Sequence, residues 1–336
     1  MSRTDLLVIV LRITGGLSLA PWILAAIRRP GLRILAYHRV AEPVFGKASC
    51  DPDVISCTPA EFDREMAFLA RYFDVVRLCD IEQAAAGPRP LAVVTFDDGY
   101  KDNIEAALPI LQRHNLCATF FVTTGFMDRI TEPWWDRIVV AVMNAETEEI
   151  DVMDFDAGVL SLRSAQDRDS AVAVLLRLAK SLPSDRSRAL ADAVAERCGK
   201  GEKDSLADLM MTWDDVRSLH NAGMEIGSHT VTHPVLANCT DSELHDELAV
   251  SRERIQSETG ATVTSIGYPV GGNTAVDERV RREAARCGYQ LGCTYMHGLN
   301  PVTGWDPFSL LRLKMEVGAD FARFRAKLLY PDLVRY

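Results

Sequence analysis

The amino-acid sequence predicts an α/β fold with a parallel sheet. Three observations carry this reading: short β-rich runs recur along the chain, capped helices lie between them, and 336 residues with 48% hydrophobic content can bury a sizeable core. That length suits one large α/β domain or two smaller ones. The β-rich runs are Leu32–Tyr37, Asp74–Arg77, Leu91–Phe96, Ala118–Val122, Met224–Ile226, Ser265–Gly267 and Leu291–Thr294. Helix starts are explicit. Thr58-Pro59-Ala60-Glu61 is a capping box with proline at the first helical position, and Phe62, Met66 and Leu69 make the apolar face that follows. Thr212-Trp213-Asp214-Asp215 opens a second helix that runs to about Ala222 and stops before Gly223. Thr240-Asp241-Ser242-Glu243 opens a third, with Leu244, Leu248 and Ile255 on one face and Gly260 as its stop.

Two stretches depart from the alternation. Residues from about 130 to 210 carry few glycines, many charges and alanines, and a helical run from Ala171 to Leu178, which reads as a mainly helical insertion. It is either a wall or lid beside the site or a solvent-facing ornament. Trp134 and Trp135 at its start suit stacking on sugar rings or anchoring of the insertion. The other departure is the amino terminus, residues 1–31. Leu6 to Ile27 approaches the length and apolarity of a membrane span, but Arg12, Gly15-Gly16 and Pro21 interrupt it. A central arginine costs about 2.5–3.5 kcal/mol on insertion scales. A cleaved signal peptide fits poorly, because Pro21 directly follows Ser18-Leu19-Ala20. Arg28, Arg29 and Arg33 come next, so the positive-inside rule keeps the remainder in the cytoplasm. The expectation is a membrane-associating segment holding a cytoplasmic domain at the inner membrane face, the alternative being an amphipathic helix packed on the rest of the chain.

A net charge of −10 and a pI near 5.3 argue against a general nucleic-acid binder, which needs a basic face. The eight cysteines, at positions 50, 57, 79, 117, 198, 239, 287 and 293, show no Cys-x-x-Cys spacing and read as reduced thiols. Cys50 and Cys57 are the pair to examine for a bridge.

The chemistry concentrates in two places. Asp97 and Asp98 close the apolar run Leu91–Phe96, and far downstream stands His229-Thr230-Val231-Thr232-His233. Asp-Asp-Gly after a strand is commonly a turn whose carboxylates cap local N–H groups, and a histidine pair at i, i+4 also occurs in packed cores. A strand end, however, is where α/β folds place ligand sites, and adjacent residues point in different directions, so one carboxylate can hold a metal while the other stays free. Gly227-Ser228 before the histidines and Pro234 after them indicate a strand-end loop, from which two imidazoles can converge on one ion.

These residues resemble the polysaccharide deacetylases with a NodB homology domain, carbohydrate esterase family four, and in particular its exopolysaccharide-type branch. Thr95 to Tyr100 resembles the family's first motif and Ser228 to Pro234 its second. Tyr37-His38-Arg39-Val40, the stretch from Pro109 to Val122 and Gly267-Tyr268-Pro269-Val270-Gly271 are more loosely similar, so the resemblance covers most of residues 32–315. It implies a distorted (β/α)7 barrel over residues 32–336, interrupted by the insertion. It also implies a metal-dependent hydrolase that removes N-acetyl groups from amino sugars of a polysaccharide or lipid-linked glycan precursor. Asp97 is then the general base, and Asp98, His229 and His233 are the metal ligands, an open three-ligand set of the catalytic kind. Two imidazoles and one carboxylate suit zinc, with nickel, cobalt or iron also accommodated. The resemblance places Tyr100, Tyr268, Pro269 and Arg312 among the substrate-binding residues.

Two departures from the family pattern bear on the mechanism. No late histidine matches the usual general acid, His297 being set in a loop-like Tyr295-Met296-His297-Gly298, whereas exopolysaccharide-type members carry a histidine where His38 stands. His38 is therefore the candidate acid, against the reading of a histidine hydrogen-bonded in the barrel mouth. The arginine of the third motif is also absent near Gly267, and Arg312, in Leu310-Leu311-Arg312-Leu313, is the candidate to orient Asp97 from a late strand. The rival functions are a deformylase or amidase on a small lipid-linked amino sugar, and a non-catalytic carbohydrate-binding relative. The intact Asp97, Asp98, His229 and His233 count against the latter.

Overall fold

Seven parallel strands close on themselves in the computed structural model, which describes residues 31–43, 49–84, 89–199, 206–301, 303–316, 318 and 320–331. The strands are β1 (Arg33–Tyr37), β2 (Leu91–Phe96), β3 (Thr119–Val122), β4 (Glu225–Ser228), β5 (Ser265–Gly267), β6 (Leu291–His297) and β7 (Leu310–Lys314). They neighbour one another in the order β1-β7-β6-β5-β4-β3-β2. The ring closes where β2 returns to β1, in register from Arg33 opposite Ala92 to Tyr37 opposite Phe96. Parallel neighbours need crossover connections, which the helices supply on the outside. They are α1 (Pro59–Tyr72), α2 (Trp134–Met143), α3 (Ala165–Ser181), α4 (Ser184–Arg197), α5 (Trp213–Asn221), α6 (Asp241–Thr259), α7 (Glu278–Arg286) and α8 (Phe321–Leu329), with shorter turns between.

The expected distorted (β/α)7 barrel is present, with one exchange of staves. The run at Asp74–Arg77 contributes only Asp74 and Val75, a short eighth strand that pairs in parallel with Leu91 and Ala92 at the start of β2. The seventh stave is β7, whose apolar pattern is broken by a charged residue at Arg312. That arginine belongs to the interior, so a hydrophobicity reading passes over the strand.

Strand alternation divides the core in two. Leu35, Tyr37 and Phe96 face outward and pack with Phe62, Met66 and Leu69 of α1. Ile34, Val93, Phe121, Leu291, Cys293 and Leu310 form a separate cluster that fills the barrel. Phe121 is the plug beneath the mouth. A Cβ at Gly227 or Gly267 would lie 2.6 or 2.8 Å from its ring, so both neighbouring strands carry glycine there for close approach.

Helix starts follow the caps. Thr58, Thr212 and Thr240 each close a capping box with the acidic residue three positions on, and Gly260 ends α6 in the left-handed region at φ 69°. Between β3 and β4 the chain leaves the barrel to form α2, the antiparallel pair Glu149–Asp151 with Val159–Ser161, α3 and α4. All eight cysteines are free thiols, so Cys50 and Cys57, both buried, are not bridged. The apolar stretch Leu6–Ile27 lies outside the described residues. Among the described residues no helix is long and apolar enough to cross a membrane.

Candidate active site

At the end of β2 the backbone turns at once. The Asp97 N–H donates to the Tyr37 carbonyl at 3.0 Å, and Asp98 takes a left-handed φ of 74°. The turn separates the adjacent carboxylates. Asp97 points over the barrel interior, where Arg312 Nη1 donates to its Oδ1 at 2.7 Å. Asp98 points to the loop after β4, with its Oδ1 3.3 Å from His229 Nε2 and 3.4 Å from His233 Nε2. Neither carboxylate caps the local turn.

The histidine loop is shaped by its own backbone and by α6. Thr230 and His233 adopt positive φ of 70° and 57°. Glu247 of α6 accepts from the Val231 N–H at 2.7 Å, the Thr232 N–H at 2.9 Å and the Thr232 hydroxyl. His229 Nδ1 lies 2.6 Å from the Gly267 carbonyl. Since a carbonyl only accepts, Nδ1 carries the proton and Nε2 of the neutral ring offers its lone pair to the side where Asp98 lies. The His233 ring packs on Trp135, with centroids 4.4 Å apart, and its carbonyl accepts from Trp134 Nε1 at 3.3 Å.

Three donor atoms thus meet at one buried point. Asp98, His229 and His233 are all buried, and Asp98 Oδ1 has no hydrogen-bond partner of acceptable geometry. A buried carboxylate oxygen left in this way, facing two imidazole nitrogens, fits a cation better than it fits protein alone. Electrostatics agree. Burial raises the Asp98 carboxyl, but the close approach of His229 and His233, with His38 nearby, outweighs it and holds the group far below the ordinary range. Burial also raises Asp97, yet Arg312, His229 and His38 together hold it below normal. Burial pushes both imidazoles down; at His229 the two aspartates reverse the direction, and at His233 burial prevails.

The remaining expected residues distribute unevenly. His38 stands beside the pair, its Nε2 3.9 Å from Asp97 Oδ2 and its ring edge-on to Tyr295. Burial lowers its pKa, which keeps the ring largely neutral at pH 7. Arg312 is buried and donates through Nε to the Thr294 carbonyl at 2.7 Å, so its contacts tie it to Asp97 and β6. Tyr268 lines the cleft, but its hydroxyl turns toward Gly292. Tyr100 and Pro269 are buried and line no part of the cleft. The Tyr100 hydroxyl donates to Asp136 Oδ2 at 2.7 Å and accepts from Trp135 Nε1 at 2.8 Å, so it is engaged within the protein rather than turned to the cleft. His297 is the last residue of β6, not part of a loop, and its Nε2 lies 2.9 Å from the Pro331 carbonyl.

Sequence reasoning missed Glu247 and Asp136. Both are carboxylates on helices, where a charge ordinarily signals a solvated face. Asp136 is buried and accepts from the Asp51 N–H at 2.6 Å as well as from Tyr100, and burial raises it to about 7. It fastens α2, and with it both tryptophans, to the barrel mouth. The cleft itself is walled by His38, Tyr295 and Lys314 from the barrel and by Trp134, Trp135, Leu176 and Lys180 from the insertion.

Comparison with known proteins identifies the family and the fold. A family model described as polysaccharide deacetylase matches residues 84–161 and 185–292, more than half of the chain. The unmatched stretch between them contains α3, which carries Leu176 and Lys180 to the cleft. YxkH of Bacillus subtilis (strain 168), which carries a polysaccharide deacetylase name, is 30% identical over 84 residues; the match spans 25% of this chain and 29% of YxkH, under a third of that relative's length. Among solved structures, the Streptococcus pyogenes deacetylase PplD in complex with acetate superposes with a TM-score of 0.56 at 18% identity, covering 86% of this chain and 95% of that one. IcaB from Ammonifex degensii gives 0.55 at 16% identity over 89% and 97% of the two chains. The BpsB deacetylase domain from Bordetella bronchiseptica gives 0.52 at 19% over 85% and 97%. At these identities the structural likenesses speak for the fold.

Proposed function

The chain belongs to the polysaccharide deacetylase family of hydrolases, and from that premise we propose that it is a metal-dependent enzyme removing N-acetyl groups from amino sugars of a polysaccharide or lipid-linked glycan precursor. The observation that carries the reading is the convergence of Asp98 Oδ1, His229 Nε2 and His233 Nε2 beside an Arg312-held Asp97. A divalent ion on those three donors, zinc by ligand type with nickel, cobalt or iron also accommodated, supplies Lewis acidity toward the acetamide carbonyl and the attacking water.

The chain's own residues supply the rest. Asp97, kept ionised, accepts a proton from the attacking water, and Arg312 fixes the direction of its carboxylate. His38 serves as the general acid. Its Nε2 is close enough to Asp97 to receive that proton through a small shift and pass it to the leaving amine. Trp135 and Tyr295 narrow the space around these groups and limit competing water. A position at the inner membrane face rests on the sequence of residues 6–33.

Acetate release from N-acetylglucosamine oligomers tests the reading. The metal-loaded protein is expected to release one acetate per modified sugar, and Asp98→Asn or chelation is expected to reduce release to background. Release that persists in Asp98→Asn after chelation overturns it.

A further inference from the structure

A second cluster of metal-ligating side chains lies on the outer layer, where α6 packs on α7. His245 projects from the second turn of α6, and Glu283 and Cys287 stand one helical turn apart at the end of α7. His245 Nδ1 lies 2.9 Å from Glu283 Oε1, and Cys287 Sγ lies 3.8 Å from both of those atoms. None of the three lines the cleft.

We propose that His245, Glu283 and Cys287 form a second metal site, separate from the deacetylase centre, for a borderline-soft divalent ion of the zinc class. The donor set is the first argument. One imidazole, one carboxylate and one thiol favour zinc-like ions over calcium or magnesium, which take oxygen ligands. Geometry is the second. Metal distances of about 2.0–2.2 Å to nitrogen and oxygen and about 2.3 Å to sulfur place tetrahedral ligands about 3.3–3.6 Å apart, and the observed separations bracket that triangle with small side-chain adjustments. The third is orientation. Arg286 Nη1 approaches Glu283 Oε2 at 3.4 Å, which leaves Oε1 as the oxygen turned toward the other two donors. Without an ion the three groups hydrogen-bond one another; with one, they exchange those bonds for coordination and leave a fourth position for water.

Such an ion would clamp α6 to α7. The clamp matters because α6 also carries Glu247, two residues beyond His245 and on the buried side, where it holds the Val231–Thr232 backbone. Occupancy of the outer site therefore stiffens the helix that shapes the histidine loop.

Cobalt titration of the metal-stripped full chain distinguishes the two sites, because the site in the cleft has no sulfur donor. Two equivalents are expected, the outer one giving a thiolate-to-cobalt charge-transfer band. Cys287→Ser should abolish the band and one equivalent, and His245→Ala, at an exposed side chain, should weaken the outer step tenfold or more even if the cysteine variant folds poorly. His233→Ala should lose the cleft equivalent and retain the band, so failure of one site is told apart from failure of the other. A single equivalent without the band in the intact chain, or a band that survives Cys287→Ser, overturns the proposal.

Discussion

Replacing Arg312 with methionine tests how the base is held. In the intact chain the Arg312 and Asp97 side chains are 1% and 2% exposed and joined at 2.7 Å, so the pair is screened little by solvent. Removing one member of a buried pair costs about 3–5 kcal/mol when the other charge must stay buried. Asp97 has an escape, which is to take a proton. Arg312 contributes the largest part of the pull that keeps Asp97 below its ordinary value against burial. The sign follows. With its folded pKa depressed, Asp97 adds stability above its unfolded value and loses it as pH falls through the folded value; without Arg312 the folded value rises, and the loss moves to higher pH. Only ionised Asp97 can act as the proposed base, so the acid limb of kcat/KM should move to higher pH in Arg312→Met. Turnover at pH 7 should drop by about 10²-fold or more because the carboxylate loses its fixed direction, and protonation should deepen the loss as pH falls. Arg312→Lys should fall between, because one ammonium cannot reach both Asp97 Oδ1 and the Thr294 carbonyl as the planar fork does. The assay is acetate release across pH on protein shown to be folded by thermal unfolding. An Arg312→Met enzyme with the turnover and acid limb of the intact chain would refute the reasoning.

Three other perturbations probe the supports of the site. Glu247→Ala removes the acceptor for Val231 and Thr232 and should weaken metal retention in the cleft about 10–100-fold in chelator competition; unchanged retention would mean the loop holds its shape alone. Tyr100→Phe strands Trp135 Nε1 and should cost about 1–3 kcal/mol in urea unfolding, with kcat/KM nearly constant in the folded protein. A large kinetic loss at full stability would return Tyr100 to the substrate contacts. Glu65, buried and hydrogen-bonded by the Tyr37 hydroxyl at 2.7 Å, is raised by burial to about 8 from 4.5. Its contribution to stability is therefore complete below about pH 4.5 and lost as pH climbs toward 8. Glu65→Gln should flatten that decline, and equal slopes for the two proteins between pH 5 and 9 would count against it.

The parts of the site visible in the sequence are those held within one short motif. Asp97 with Asp98, and His229 with His233, announce themselves because strand-end turns force their ligands to be neighbours in the chain. Arg312 was reachable only as a candidate, since it meets Asp97 across 215 residues. The strand that carries it was missed for the same reason, an interior charge where a hydrophobic pattern was sought. Asp74–Arg77 does hold a strand, but only Asp74 and Val75 pair, because β-branched residues mark a pleated surface without fixing how far the pairing runs. Tyr100 shows the risk of reading role from motif membership. It stands two residues from Asp98 in sequence, yet its hydroxyl belongs to the network that seats the insertion.

Seven non-glycine residues among those described have positive φ, and four of them line or shape the cleft: Asp98, Thr230, His233 and Val270. For a β-branched residue such as Val270 this conformation is a true outlier, and each such position stores of order 1–3 kcal/mol. The candidate active site is therefore built against local backbone preference. Selection for thermal resistance alone would favour glycine at these positions, and at two of them, Asp98 and His233, it would erase a proposed metal ligand. The protein's most stable descendants and its most active ones are thus expected to diverge first at the mouth of the barrel.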